Sequence, residues 1–298
     1  MLPTTNIEYA EHTWNAFVGC LPISDGCLNC YAQKIAFNLA KHGNTKVRNK
    51  YAGLTNSEGI WNGKVRREND DKFFEPINIR VPKIIFVNSM SDIFFDKVPD
   101  EWIERVFQVI KKAKQHIFLV QTKYAENMFE FCNSYYQSNQ IIENLCLGVS
   151  VESSEYLERV EYLISTPSVM KWINVEPYLQ KTDFNYLLNS ARIAKKPIDW
   201  LVSGGESSKD ITKARPSHLE DFVDLQEQCK SNDVAFFLKQ LGTNPLYKEN
   251  GFDVPLRYEM PDSKGATFES FPEHLQTRDY PKKFHQHFKQ FEVQQSLF

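Results

Sequence analysis

The sequence predicts an α/β fold: a parallel (β/α) barrel, TIM-like and partial or complete, of about six to eight units, with an irregular C-terminal extension. Three observations predict it. From residue 83 onward, short β-prone apolar runs alternate with amphipathic helical stretches. The strand runs are continuously apolar, as strands covered on both faces of a parallel sheet must be. Nearly every strand ends in polar residues, on the side where such barrels carry their function.

The elements follow in order. Thr13 to Val18 is short and β-prone and reads as a first strand. Gly19 to Tyr31 holds Cys20, Cys27 and Cys30, spaced C-x6-C-x2-C. Pro22, Gly26 and the Ser24-Asp25 pair favour a tight irregular loop that folds three thiols back towards one point. Tyr31 to Lys41 has helical spacing and stops at His42-Gly43-Asn44, so the cysteines occupy a strand-to-helix loop.

Lys46 to Asp71 reads as polar and irregular. It carries Lys46, Arg48, Lys50, Lys64, Arg66 and Arg67 with Tyr51 and Trp61 interleaved, a composition that suits nucleic acid. A solvated excursion is the commoner outcome, because Glu68, Asp70 and Asp71 follow at once.

Strands are then expected at Lys83–Val87, Ile117–Val120, Cys146–Val151, Lys171–Val175, Trp200–Ser203 and Val234–Leu238. Helices are expected at Asp100–Gln115, Ala125–Tyr136, Tyr156–Ile164, Phe184–Ile193 and Ser217–Lys230. The first of these starts with acids and ends with lysines, matching the helix dipole. The last offers Ser217 and Glu220 as a capping box. No internal repeat is evident. Residues 1–242 are expected to form the barrel. Residues 243–298, richer in Pro and Gly, form an extension packed on it, with His285 and His287 as exposed tail residues.

Composition bounds the function. The chain has 298 residues, 42% hydrophobic and 24% charged, enough for one large core or two smaller ones. A net charge of −3 excludes a strongly basic protein but not a local basic groove. The 22 Phe and 13 Tyr are first of all core-filling residues. Met1 to Trp14 lacks a signal-peptide core, and no apolar run nears the roughly 20 residues that span a bilayer. A cytoplasmic protein without a membrane partner is the expectation. Six cysteines in a reducing compartment do not read as a disulfide framework, and Cys132, Cys146 and Cys229 sit singly among apolar neighbours as buried thiols.

The strand exits carry Asn88, Ser89 and Asp92; Gln121, Thr122 and Lys123; Ser150 and Glu152; Asn174 and Glu176; Ser203, Gly204, Gly205 and Glu206; Lys239 and Gln240. One polar exit is only a loop, but a succession of them, with carboxylates at Glu152, Glu176 and Glu206, resembles a lined pocket. Gly204-Gly205 lets backbone approach a ligand closely and leaves N–H groups free for it. Arg215-Pro216 offers a guanidinium to a carboxylate or phosphate. Three thiolates leave one coordination position open on a metal ion or an iron–sulfur cluster, as catalytic sites do.

Taken together, Thr13-Trp14-Asn15, Gly19-Cys20, Gly26-Cys27-x-x-Cys30-Tyr31, Phe86 to Asp92, Leu147 to Glu152, Glu176-Pro177, Gly204 to Ser207, Ala214 to Pro216 and Lys239-Gln240 resemble the phage-type three-Cys-motif family, related to radical S-adenosylmethionine (SAM) enzymes. The segment from Phe271-Pro272-Glu273 to Tyr280-Pro281 is similar to that family's C-terminal part. The chain departs from the family pattern at Ala16 (Pro), Phe95 (His), Tyr124-Ala125 (Arg-Pro) and Leu241 (Trp).

The resemblance implies a [4Fe–4S] cluster on Cys20, Cys27 and Cys30, with SAM on the open iron. The usual spacing is C-x3-C-x2-C, so the longer first gap here implies a remodelled loop. The implied activity is a radical SAM-type enzyme, with a nucleic-acid base as candidate substrate. The catalytic candidates are Glu152, Glu176, Glu206, Lys123 and Lys239. The cofactor-binding candidates are Asn88, Ser89, Asp92, Ser150, Gly204 and Gly205. Two other readings stand beside it: a zinc-dependent hydrolase or nuclease, and a non-catalytic nucleic-acid-binding component of a phage or defence system that works with a partner protein encoded nearby.

Overall fold

The computed structural model describes residues 2–208, 211–256 and 260–295, with side chains to residue 291. The last residues of the expected polar tail, 296–298, lie outside the described residues. The architecture is α/β and of the partial (β/α)-barrel class. Two compact units make up the chain: Met1–Gly148 with Thr166–Met170 and Lys283–Phe298, and Val149–Ser165 with Lys171–Lys282.

The first unit holds β1 (His12–Trp14), β2 (Phe17–Val18), α1 (Tyr31–Leu39), α2 (Thr45–Tyr51), β3 (Arg66–Arg67), α3 (Asp70–Phe73), β4 (Ile84–Val87), α4 (Asp100–Lys112), β5 (Ile117–Thr122) and α5 (Ala125–Ser138). β6 (Leu145–Ser150) begins there. β1 runs parallel to β4 and β4 parallel to β5, with Trp14 opposite Val87 and Val87 opposite Val120. All four β4 residues are buried, as the continuous apolar run requires. α4 buries Ile103, Val106, Phe107, Val109 and Ile110 along one face. Trp14 meets Phe73 and Phe118 edge-on at 5.8 and 5.9 Å, so these aromatics fill the core.

The second unit holds α6 (Glu158–Ser165), most of β7 (Met170–Val175), α7 (Asn185–Ile193), β8 (Trp200–Gly204), β9 (Ser217–His218), α8 (Leu219–Ser231), β10 (Ala235–Gln240), β11 (Pro245–Glu249) and β12 (Phe252–Pro255). β7 pairs parallel with β8, and β8 with β10. β11 forms a hairpin with β12 and a short parallel pair with β9. α9 (Lys282–Gln295) closes the described chain. Among the described residues, seven strands share one sheet in the order β1-β4-β5-β6-β7-β8-β10.

Four expectations change. The single strand over Thr13–Val18 is two, because the chain bends at Ala16, after Asn15, whose side chain is tied to the 89–90 segment. Asn15 Oδ1 accepts from Met90 N at 3.0 Å and from Ser89 Oγ at 3.3 Å. The excursion after Lys46 contains two short helices, capped by Asn44 and Asn69, whose side chains accept backbone N–H groups of the first turn. Ser217 is not the cap of α8. It lies in β9, donates Oγ to Leu241 O, and leaves the N-cap to His218. The stretch after residue 242 is more ordered than expected, since β11, β12 and α9 lie in it. Among the described residues, no helix is long and apolar enough to cross a membrane.

Candidate functional site

The thiol loop leaves β2 through Gly19, at φ +107°, where an added Cβ would lie 2.0 Å from Lys64 O, so only glycine fits. Gly19 N donates to Met90 O at 3.0 Å. Successive turns then fold the loop back: Cys27 N donates to Ser24 O, Leu28 N to Asp25 O, and Cys30 N to Cys27 O. A 3-10 turn covers Asp25–Cys27, and Cys30 is the N-cap residue of α1. Cys20 and Cys30 pack against the apolar cluster of Val18, Ala32, Ala36 and Met90. All three thiols are free and half-buried.

The thiols are electrostatic neighbours of one another. Burial pushes Cys20 up first, and then Asp92, Cys30 and Cys27 add to it. Cys30 is also raised by burial, with Cys27 adding to the shift. Cys27 goes the other way. Burial pushes it up, but the Lys123 ammonium and hydrogen bonds from the 23–24 segment outweigh that and hold it below the usual range.

Asp92 is the hub beside the loop. Its Oδ1 accepts from Thr122 Oγ1 at 2.6 Å and Phe94 N at 3.1 Å, and its Oδ2 accepts from Lys123 N at 2.8 Å. Burial pushes its carboxyl up, against these hydrogen bonds. The turn so held aims Lys123 Nζ at Ser24 Oγ, 3.1 Å away, and that oxygen is 3.6 Å from Cys27 Sγ. Asn88, at φ +58° beyond β4, accepts Ala16 N on Oδ1 at 2.8 Å, while its buried Nδ2 has no partner. Ser89 is a structural tie: its Oγ donates to Asn15 and its carbonyl accepts from Tyr31 OH at 3.2 Å. The first unit thus brings together Cys20, Cys27, Cys30, Asp92 and Lys123.

In the second unit, Lys239 Nζ donates to Glu176 Oε1 at 2.5 Å, both side chains being largely buried. Fully buried Glu152 meets Arg159 at 2.9 Å, and the same guanidinium donates to Ser150 O at 2.8 Å. Glu206 is gripped by Arg215 through its backbone N at 2.9 Å, Nε at 3.1 Å and Nη2. The carboxylate that Arg215 was expected to meet is therefore one of this chain's own. The glycines also serve packing. A Cβ on Gly205 would stand 2.2 Å from Leu241 O, and one on Gly204 3.2 Å from Gln240 Cγ. Gly205 N donates to Gln240 O at 3.1 Å, which corrects the expectation that this N–H is left for a ligand.

Tyr51 and Trp61 are buried in the cluster under the thiol loop, which corrects their reading as a stacking surface for bases. Arg66 donates to the carbonyls of Asn49, Lys50 and Ala52, and Arg67 to Asp70, so both support the local fold. Sequence reasoning missed Ser24 as a mediator between Lys123 and Cys27, and Arg159 as the partner of Glu152. The only signal for Arg159 is its place one helical approach after the strand exit.

Among the described residues, no group of three or more His, Cys, Asp or Glu is arranged to hold a single metal ion. One zinc ion holds its sulfurs at about 2.3 Å each, so its thiols nearly touch. An iron–sulfur cluster takes each thiolate on a different iron and accepts a wider set. Three free, convergent thiols with a lysine beside them, and a buried unpaired amide on Asn88, fit the cluster. A cavity of about 490 Å³ lies elsewhere in the first unit, between α4 and α5, with Asp96, Asp100, Glu104 and Glu130 on its walls.

A family model described as a protein of unknown function, DUF5131, matches residues 4–283. No curated protein matches the chain. Among solved structures, the chain is similar to a cysteine-to-serine mutant of spore photoproduct lyase at 11% identity, with a TM-score of 0.44, over 99% of this chain and 76% of that one.

Proposed function

We propose that this chain, which belongs to the DUF5131 family, is an iron–sulfur, SAM-dependent radical enzyme. One observation carries the reading: Cys20, Cys27 and Cys30 are free thiols on one loop, each within electrostatic reach of another. Cys132, Cys146 and Cys229 are buried. Cys20, Cys27 and Cys30 would hold a [4Fe–4S] cluster with one iron left for the amino and carboxylate groups of SAM. Bound there, the cluster would supply the electron for reductive cleavage of SAM.

The chain's own residues have defined parts. Lys123 keeps positive charge beside Cys27 and offsets the thiolate charge. Asp92 fixes the turn that carries Lys123. Asn88 offers a buried N–H to an acceptor. In the second unit, Glu152 and Glu206 are each engaged by an arginine. Glu176 with Lys239 is therefore the pair best able to hold or pass a proton.

The resemblance to the phage-type three-Cys-motif family supports the same reading. It also suggests a nucleic-acid base as substrate and a partner protein encoded nearby. For nucleic acid, the exposed Lys46 and Lys64 are the available cations of the basic stretch. The test is anaerobic purification and reconstitution, followed by iron and labile-sulfide analysis. Equal iron and sulfide, and 5′-deoxyadenosine formed from SAM under strong reductant, are expected. Zinc without labile sulfide would sink the proposal.

A further inference from the structure

Tyr124 is held in one place. Its backbone N donates to Thr122 Oγ1 at 2.9 Å, and its ring packs on Phe95 with centroids 5.4 Å apart. Its hydroxyl is buried and has no hydrogen-bond partner. A buried hydroxyl left unpaired is costly, so such groups call for a specific explanation. Here the surroundings supply one. Burial acts on the phenol first, and the titratable groups around it are Cys20, Asp92, Asp96 and Cys27. The Phe95 ring it packs on borders Gly63, whose N donates to Cys20 O at 3.0 Å. Asp92 is already committed to Thr122, Phe94 and Lys123, and Asp96 accepts from Asn127 at 2.6 Å. Neither carboxylate accepts the Tyr124 hydroxyl, and the other titratable groups beside it are the Cys20 and Cys27 sulfurs. A neutral thiol is a weak acceptor, which suits a hydroxyl left unpaired beside protonated cysteines, whereas a thiolate or cluster sulfur is a strong one.

We infer that the Tyr124 hydroxyl donates a hydrogen bond to a sulfur of the cluster held by Cys20, Cys27 and Cys30, and so raises its reduction potential. The inference rests on the cluster reading above. Reduction adds one electron to the cluster and makes its sulfurs more negative. A fixed donor therefore stabilises the reduced form more than the oxidised form. Phe95 and Tyr124 are two of the positions where the chain departs from the resembling family's pattern, and they touch. The donor is thus a feature of this chain: a neutral phenol at the arginine position, with its ring set by a phenylalanine at the histidine position. Tyr124 acts through the cluster and is a positioning residue.

The test uses the full chain, reconstituted anaerobically, as wild type and as Tyr124→Phe. The one-electron reduction equilibrium is read by redox titration with electron paramagnetic resonance. The variant is expected to keep its iron and sulfide while reducing about tenfold less readily, a shift of about 59 mV to lower potential. An exchangeable proton coupled to the reduced wild-type cluster, seen by comparing H₂O with D₂O, is expected to vanish in the variant. It gives a second reading, and its absence from the wild type would overturn the inference even if the variant did not fold. An unchanged potential at full cluster content overturns the role of Tyr124 and leaves the cluster standing. A wild type that takes up no iron and sulfide overturns both, and the iron analysis tells the two failures apart.

Discussion

Lys123 Nζ donates to Ser24 Oγ at 3.1 Å across 99 residues of chain. Ser24 belongs to the thiol loop and Lys123 to the exit of β5, so one hydrogen bond ties the loop to the strand end. The same lysine is held from behind by Asp92, through its backbone N–H. An ammonium fixed in this way lowers the cost of charging Cys27, the first step any thiolate ligand must take.

Removing a ligand thiol should remove the iron. Cys27→Ala is expected to lower iron and labile sulfide by roughly tenfold or more after reconstitution. Cys132→Ala, which changes a buried thiol on α5, should keep the full content. Retention of the cluster by Cys27→Ala would show that the ligand set is wrong.

Gly205→Ala tests the packing of the second unit. Its Cβ would overlap Leu241 O at 2.2 Å and Ser217 Oγ at 2.7 Å. Backbone cannot move aside as a flexible side chain can. A loss of about 3 kcal/mol or more is expected from urea unfolding. A change below about 1 kcal/mol would mean that β8 and β10 separate more easily than their packing implies.

Arg215→Ala leaves the Glu206 carboxylate buried with its main cation gone. A loss of about 3 kcal/mol is expected, largely recovered when Glu206→Gln is added. A double-mutant cycle by urea denaturation measures the coupling. Zero coupling would mean that Glu206 is stabilised by something other than Arg215.

His116 makes the first unit acid-sensitive. Burial pushes it from the usual 6.5 down to about 4. Its Nδ1 also accepts Lys83 N at 3.1 Å, so a proton there would displace a bond. Between these values the unfolded chain binds a proton that the folded chain does not. The stabilisation is complete above pH 6.5 and is lost as pH falls towards 4. The loss amounts to at most about 3 kcal/mol. Urea midpoints across that range should fall in the wild type and fall less steeply in His116→Gln.

The alternation of strands and helices was readable because period and burial are local. Ile84–Val87 and Ile117–Val120 are apolar on both faces and pair in parallel, as a short run bounded by turn residues suggests for a covered strand. The cysteine loop was readable for the same reason, since Pro22, Gly26 and Ser24-Asp25 act within a few residues. Ser217 shows the limit. Its sequence context is that of a cap, yet Leu241 O, 24 residues away, takes its hydroxyl. Tyr51 and Trp61 look like a nucleic-acid surface only until the cluster that buries them is known.

From the order of residues alone come the α/β class, the place of the three thiols between a strand and a helix, and the polar strand exits. Tertiary structure decided which carboxylates are already spoken for, that Gly204 and Gly205 make room for the chain's own backbone, and that Lys123 and Ser24 attend the thiols. The division is physical. Periodicity and turn chemistry act over a few residues, whereas ion pairs and close approaches join groups whose separation along the chain carries no information about their separation in space.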